Sequence, residues 1–108
     1  MSRYKLKFKY DWGSGVCVWS DNAAAKEKFK DYPVNTADLP ITRELAALLE
    51  ELNSRHDTAL NWDDPGGELL WDRAKQEAFT EEAKAAYRRL CAELGPDYEV
   101  FFFPRLFC

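Results

Sequence analysis

Five carboxylates lie close together in the middle of the sequence, and their type and spacing make them the strongest candidates for chemistry. They are Asp57, Asp63, Asp64, Glu68 and Asp72. Clustered carboxylates can bind a metal ion, act as acid and base on a glycoside, cap a helix or contact a basic partner. The residues around them decide between these roles.

Catalytic and metal-binding roles agree poorly with this segment. Pro65 interrupts the alternating acidic and amide positions that a calcium loop needs. A chain of 108 residues whose acids share one loop has little material for a deep saccharide cleft. The sequence has no nucleotide, zinc or activated-cysteine motif, and its single histidine is His56. We therefore expect no metal, no cofactor and no catalysis, and a small carboxylate-dependent enzyme is the least favoured alternative.

A binding role agrees better with the same segment. Turn and cap chemistry explains part of it, because an acid precedes Pro65 and Asp72 stands where a helix should begin. Two tryptophans bracket the acids, and tryptophan beside charge is typical of a binding hot spot, although both rings could equally be core. We predict a partner-binding surface that consists of Asp57, Trp62, Asp63, Asp64, Glu68 and Trp71.

Two amphipathic helices should position this surface. The first begins with Thr42 as its N-cap, and the second follows Asp72 and ends at Gly95. His56 falls on the apolar stripe of the first helix, so we expect a packed residue at the edge of the core. The stripes are Leu45, Leu48, Leu49, Leu52 and His56, then Phe79, Ala83, Ala86, Tyr87, Leu90 and Leu94.

Strands are expected on either side of these helices. Residues 3–10 alternate between apolar and basic side chains, residues 16–19 return as a hairpin, and residues 97–103 form a third strand. Ser20 or Asp21 should cap a short helix that ends near Lys30. The sequence predicts one α+β domain over residues 1–108, with a small antiparallel sheet of about three strands. The expected order is β-β-α-α-α-β, with the helices packed on one face.

Charge is distributed unevenly along the chain. The first nine residues hold four of the 15 basic side chains and none of the 19 acidic ones, so the rest of the protein is acidic. An acidic surface disfavours direct nucleic-acid binding and favours a cationic partner. The basic residues Arg3, Lys5, Lys7 and Lys9 form a ladder that we interpret as a solvated strand face without a basic aromatic groove.

The cellular location is predicted from the lack of membrane-helix and signal-peptide features. No run approaches the roughly 18 to 20 apolar residues of a membrane helix, and lysines stand where a signal peptide would be apolar. Cys17, Cys91 and Cys108 are widely spaced and form no CxxC pair, so we expect reduced thiols. These features predict a cytoplasmic protein.

Aromatic residues near the end of the sequence suggest a second function. Phe101 and Phe103 would point away from the core side of the third strand, and with Phe107 they could form an aromatic patch at an open sheet edge. An exposed aromatic patch usually marks a partner site. The alternative function is therefore a structural or regulatory protein that forms homodimers through this strand.

Four segments of the sequence resemble a family of small bacterial proteins. They are residues 10–15 (YDWGSG), 32–34 (YPV), 62–65 (WDDP) and 93–100 (ELGPDYEV). Proteins of this type are similar to the immunity proteins of contact-dependent growth inhibition systems. The resemblance implies a non-catalytic protein that binds and neutralises a toxin domain, often a nuclease, by blocking its active site. It implies no particular functional residues.

Overall fold

The computed structural model describes residues 3–13, 16–30 and 32–103. Phe107, Cys108 and residues 14–15 of the YDWGSG segment lie outside these ranges. The strands are β1 Tyr4–Phe8, β2 Val18–Ser20, β3 Pro33–Val34 and β4 Tyr98–Phe102. The helices are α1 Ala23–Phe29, a 3-10 turn Thr36–Asp38, α2 Arg43–Asp57 and α3 Arg73–Leu94.

The described strands form one mixed sheet in the order β3-β2-β1-β4. The hairpin of β1 and β2 is antiparallel, as predicted, whereas β1 and β4 are parallel. The α+β class is confirmed, but the sheet has one strand more than expected and is not purely antiparallel. A two-residue strand gives no periodic signal, and the parallel pair follows from the long helical crossover between β1 and β4.

Alternation along the strands separates the two faces of the sheet. Leu6 and Phe8 of β1 are fully buried, and Val100 lies opposite Leu6 on β4. The lysines of β1 therefore point to the other face. Residues of α1, α2 and α3 join the buried face in one cluster, which confirms that the helices pack on one side.

Local capping explains where the helices begin. The Asn22 side chain accepts a hydrogen bond of 2.8 Å from the Ala25 N–H, so Asn22 caps α1. The prediction of Ser20 or Asp21 as the cap was therefore wrong. The first helical residue of α1 is Ala23, and the cap is the residue immediately before it, so Ser20 and Asp21 both lie too early.

The two long helices begin where the sequence predicted. The Thr42 hydroxyl accepts from the Leu45 N–H, and the Asp72 carboxylate accepts from the Lys75 N–H, at 3.2 and 2.8 Å. Gly95 follows α3 with a positive φ of 80° and donates its N–H to Cys91. Within the described ranges, none of the helices combines the length and apolar character of a membrane-spanning helix.

A carboxylate of α3 joins the end of that helix to the start of α2. Glu93 accepts the Thr42 backbone N–H at 2.6 Å and the Thr42 hydroxyl at 3.2 Å. Arg89 donates to the same carboxylate at 2.9 Å. A second cross-link, Arg55 to Glu82 at 2.9 Å, lies further along the two helices. These contacts fix the relative positions of α2 and α3, and the acidic segment lies between them.

Candidate partner-binding surface

The acidic segment forms the connection between α2 and α3. Hydrogen bonds within the segment fold its backbone: Asn61 accepts from the N–H groups of Asp63 and Asp64, and Asp64 accepts from Gly67. Because these turns use backbone groups and the Asn61 amide, the carboxylates of Asp63, Asp64 and Glu68 stay on the surface, where all three residues are exposed. The segment, here called the acidic loop, therefore presents negative charge to solvent.

Trp62 lies on the same surface and is held in place although 55% of it is exposed. Its indole N–H donates a 2.8 Å hydrogen bond to the Asp57 backbone oxygen. Its ring lies 3.5 Å from the position that a Cβ on Gly13 would occupy. An exposed aromatic ring with a fixed orientation is well suited to contact a partner.

Asp57 connects this surface to the β1–β2 hairpin. It is the last residue of α2 and is partly buried, and its Oδ1 accepts the Gly13 N–H at 3.1 Å. The Asp57 side chain therefore makes an intramolecular hydrogen bond, and its negative charge adds to that of the acidic loop.

Trp71, the sixth predicted contact residue, is only 8% exposed. Its ring packs edge-on against Phe79 with centroids 5.4 Å apart, and the Lys75 ammonium lies 4.9 Å from its centroid. The structure brings Asp63, Asp64 and Trp62 together on the surface and assigns Trp71 to the core. Sequence could not separate the two tryptophans, because both flank the same loop.

Behind the acidic loop, an aromatic cluster surrounds His56. The imidazole is 1% exposed and stacks between Trp12 and Tyr10, with centroids 4.7 and 5.1 Å away. Phe79 completes the cluster at 5.8 Å. The prediction of a packed histidine is confirmed. Burial raises the pKa of the Tyr10 hydroxyl well above its ordinary value, so Tyr10 stays protonated here.

The other groups with possible chemistry are also enclosed or dispersed. Burial raises the pKa of the Cys17 thiol to about 12, which keeps it as an unreactive neutral thiol. Within residues 3–13, 16–30 and 32–103, no three histidine, cysteine or acidic side chains converge as metal ligands would.

The lysine ladder has aromatic neighbours that the sequence prediction missed. Pro33, Trp19, Lys7 and Phe101 are aligned in one row across the four strands, on the face opposite the helices. The Lys7 ammonium lies 5.7 Å from the Tyr32 ring centroid. These aromatic residues come from other parts of the chain, and only the sheet register aligns Trp19 and Phe101 with Lys7. The interpretation of the ladder as a solvated strand face stays a prediction.

Two other lysines of the ladder also have neighbours on the sheet. Lys5 lies 3.8 Å from the Glu99 carboxylate, and the Lys9 ammonium lies 5.1 Å from the Phe103 centroid. Exposed contacts of this kind contribute little stability, but they orient the lysine side chains along the sheet.

The described part of the chain is thus an α+β scaffold that exposes an acidic loop beside Trp62. A family model described as Serratia CdiI immunity protein-like matches residues 4–105, and the chain belongs to this family. The family confirms the resemblance predicted from the four sequence segments, and it indicates a non-catalytic, toxin-neutralising role. No curated protein matches the chain.

Proposed function

We propose that the protein is an immunity protein of a contact-dependent growth inhibition system and neutralises a cognate nuclease toxin by covering its active site. It acts in the cytoplasm, where the nucleic-acid substrate of such a toxin lies. The observation that supports this proposal is the acidic loop, in which Asp63, Asp64 and Glu68 are all exposed beside Trp62.

Electrostatic complementarity gives the loop its proposed role. A nuclease binds phosphates through a basic cleft, and a cluster of carboxylates beside a fixed indole can enter such a cleft. Opposite charges accelerate association, and the buried aromatic contact slows dissociation. The association rate should therefore fall as salt is added, while the dissociation rate changes less.

Charge reversal of the loop tests the proposal. The toxin domain is first captured with the tagged protein from the source bacterium, then expressed with each variant in a growth-rescue assay. We expect the double variant Asp63→Lys/Asp64→Lys to lose rescue and to bind at least ~100-fold more weakly. The control Glu27→Lys/Glu51→Lys changes net charge equally at exposed helix positions and should retain rescue.

Both variants must keep the wild-type unfolding midpoint, since all four positions are exposed. Unchanged toxin affinity in the Asp63/Asp64 variant would remove the acidic loop from the interface. Failure to recover any toxic protein, with neighbouring reading frames expressed as well, would contradict the immunity function itself.

A second candidate function is supported by β4. This strand lies at an edge of the described sheet, and its Phe101 is 55% exposed. Open strand edges with apolar side chains favour pairing between chains. Sedimentation would show a stable homodimer that Phe101→Ser dissociates if the protein self-associates in this way, and a wild-type monomer would exclude this function.

A further inference from the structure

The face of the sheet opposite the helices combines exposed aromatic rings with lysines. Phe101 and Tyr32 are 55% and 41% exposed, so no described element packs over them. Trp19 and Phe101 lie on either side of Lys7 in the strand register. An exposed aromatic patch beside charge is typical of a binding surface. The surface formed by Lys7, Lys9, Trp19, Tyr32 and Phe101 is called the basic sheet face below.

Contacts within the fold hold the rings of the basic sheet face in place. The indole N–H of Trp19 donates a 2.8 Å hydrogen bond to the backbone oxygen of Lys9. The Trp19 and Tyr32 rings are in contact, with centroids 5.0 Å apart, and the Lys7 ammonium lies 5.7 Å from the Tyr32 centroid. A partner therefore meets a largely preformed surface and immobilises few side chains when it binds.

The unpaired positive charge of this face is concentrated at Lys7 and Lys9. Lys5 is paired with Glu99 at 3.8 Å, whereas no carboxylate among the described residues forms an ion pair with Lys7 or Lys9. Side chains two residues apart on a strand point to the same side, roughly 7 Å from each other along the chain. The basic sheet face therefore favours an anionic partner that also carries an apolar group.

Charge distinguishes between the possible partners. The toxin of the proposed function is basic, so the basic sheet face would repel it. A nucleic acid carries a charge on every nucleotide and would approach a protein whose net charge is already −4. The acidic loop of a second copy instead presents a compact group of exposed carboxylates beside the exposed ring of Trp62. This loop has both the charge and the apolar group that the face favours.

We infer that the basic sheet face binds the acidic loop of a second copy of this chain. The ammonium groups of Lys7 and Lys9 pair with the carboxylates of Asp63 and Asp64. The Trp62 ring packs against the aromatic rings of the face, where a lysine ammonium can also lie over the indole. Within one chain the acidic loop joins two helices on the other side of the sheet, so the contact forms only between copies.

The two surfaces differ, so the contact between copies is heterologous. Each added copy leaves one acidic loop and one basic sheet face unoccupied, unless a ring closes. Association should therefore continue to grow with protein concentration beyond the dimer. The contact also occupies the acidic loop, so self-association and the proposed binding of the toxin exclude each other.

Sedimentation velocity of the full chain tests the inference directly. At low salt we expect the weight-average sedimentation coefficient to rise with protein concentration, with a Kd on the order of 100 µM for a small charged contact. Raising the salt from about 20 mM to about 500 mM should weaken the association at least ~10-fold, because both surfaces are exposed. A sedimentation coefficient that is independent of concentration at low salt would overturn the inference.

Charge-reversed variants identify the two surfaces. Lys7→Glu/Lys9→Glu reverses the face, Asp63→Lys/Asp64→Lys reverses the loop, and each variant alone should remain a monomer at low salt. An equimolar mixture of the two variants should associate again, because the intact loop of one can bind the intact face of the other. Failure of the mixture to associate, when the wild type does, would overturn the pairing of these two surfaces.

A matched control separates local charge from net charge. Lys26→Glu/Arg88→Glu changes the net charge as much as the reversal of the face does, at exposed positions of α1 and α3. It should associate within about threefold of the wild type at moderate salt. If Lys7→Glu/Lys9→Glu has a lower unfolding midpoint, Lys7→Gln/Lys9→Gln replaces it, since it removes the charge and keeps a long side chain.

Two results would assign the basic sheet face or the self-association differently. Wild-type association by Lys7→Gln/Lys9→Gln that Phe101→Ser abolishes would indicate pairing through the β4 edge. Binding of a single-stranded oligonucleotide by a wild-type protein that stays monomeric, lost in the lysine variant, would indicate a nucleic-acid site. Either result would overturn the inference.

Growth rescue keeps this inference separate from the immunity function. Lys7→Glu/Lys9→Glu should retain rescue, because the two lysines lie on the other side of the sheet from the helices that carry the acidic loop. Rescue by a wild-type protein that never self-associates would overturn the inference and leave the immunity function standing. Salt-sensitive self-association without rescue would contradict the immunity function and support the contact between copies.

Discussion

The indole N–H of Trp12 donates a 2.9 Å hydrogen bond to the backbone oxygen of His56, and the same indole ring stacks on the His56 imidazole at 4.7 Å. One side chain thus attaches the end of the β1–β2 hairpin to the last turn of α2. Gly13 follows Trp12 in the sequence and Asp57 follows His56, and the Gly13 N–H donates a hydrogen bond to the Asp57 carboxylate. The surface with the acidic loop is therefore built on a contact between parts of the chain that are distant in sequence.

Replacement of Trp12 by phenylalanine should weaken this contact. The variant keeps an aromatic ring for stacking but leaves the His56 oxygen without the indole donor, so we expect a loss of about 1 kcal/mol. Thermal unfolding should show the midpoint lower by roughly 4–8 °C. Trp62→Phe is the matched comparison, since it removes an indole bond at an exposed site where water can substitute. An equal fall in unfolding midpoint in both variants would show that the less exposed position of the Trp12 hydrogen bond does not increase its contribution to stability.

Gly13 is expected to be intolerant of a side chain. Its φ is 81°, a conformation that costs an L-residue roughly 1–2 kcal/mol, and a Cβ would also contact the Trp62 ring. Gly13→Ala should therefore lower the denaturant concentration at the unfolding midpoint without changing the dependence of the unfolding free energy on denaturant concentration. Gly66→Ala is the control, because a Cβ there meets nothing within 4 Å. A neutral Gly13→Ala variant would show that the hairpin turn adopts another conformation.

The contact between Glu93 and Thr42 should make stability depend on pH. The Thr42 N–H donates to the Glu93 carboxylate and lowers its pKa, with a further contribution from Arg89. A lowered pKa stabilises the fold above the unfolded value of about 4.3, and this stabilisation disappears as pH falls through the folded pKa. The midpoint difference between wild type and Glu93→Gln should therefore shrink from pH 6 to pH 3. A constant difference would contradict the assignment.

The two described cysteines should differ in reactivity. Cys17 is buried with a pKa of about 12, whereas Cys91 is partly exposed. At pH 8, alkylation of Cys17 should be on the order of a thousandfold slower than that of an ordinary thiol. Peptide-resolved mass spectrometry measures each site separately, and urea should abolish the protection of Cys17. Rapid labelling of native Cys17 would mean that the packing around its side chain opens frequently.

The same raised pKa has a consequence at high pH. The unfolded thiol ionises near 8.5, and the folded one near 12. Stability from the neutral Cys17 is therefore complete below the unfolded pKa and is lost as pH rises towards the folded value. Cys17→Ala should flatten the decline in unfolding midpoint between about pH 9 and 11. If the unfolding midpoint of Cys17→Ala falls with pH as it does in the wild type, groups other than Cys17 cause this pH dependence.

Local signals in the sequence were sufficient for the long helices and the central strand. Leu45, Leu49 and Leu52 recur with the helical period, and all three are fully buried. Thr42 and Asp72 cap α2 and α3 as predicted, because a cap acts through hydrogen bonds to residues only three positions away. For these two helices, features that depend on neighbours in sequence were therefore predicted with their residues, whereas the cap of α1 was predicted at the wrong residue.

Features that depend on distant contacts could not be predicted in the same way. The burial of Trp71 depends on Phe79 and Lys75 in α3, and the alignment of Phe101 with Lys7 depends on the parallel register.

The parallel pairing of β1 with β4 also determines the order in which a nascent chain can fold. Tyr4 pairs with Tyr98. The pairing of β1 with β4 can therefore form only after nearly all of the described chain has left the ribosome. The hairpin and the helices have local contacts and can form earlier, whereas a pairing of such high contact order forms late. Any partner that recognised the edge at β4 would therefore find its binding site only after translation had passed Phe102.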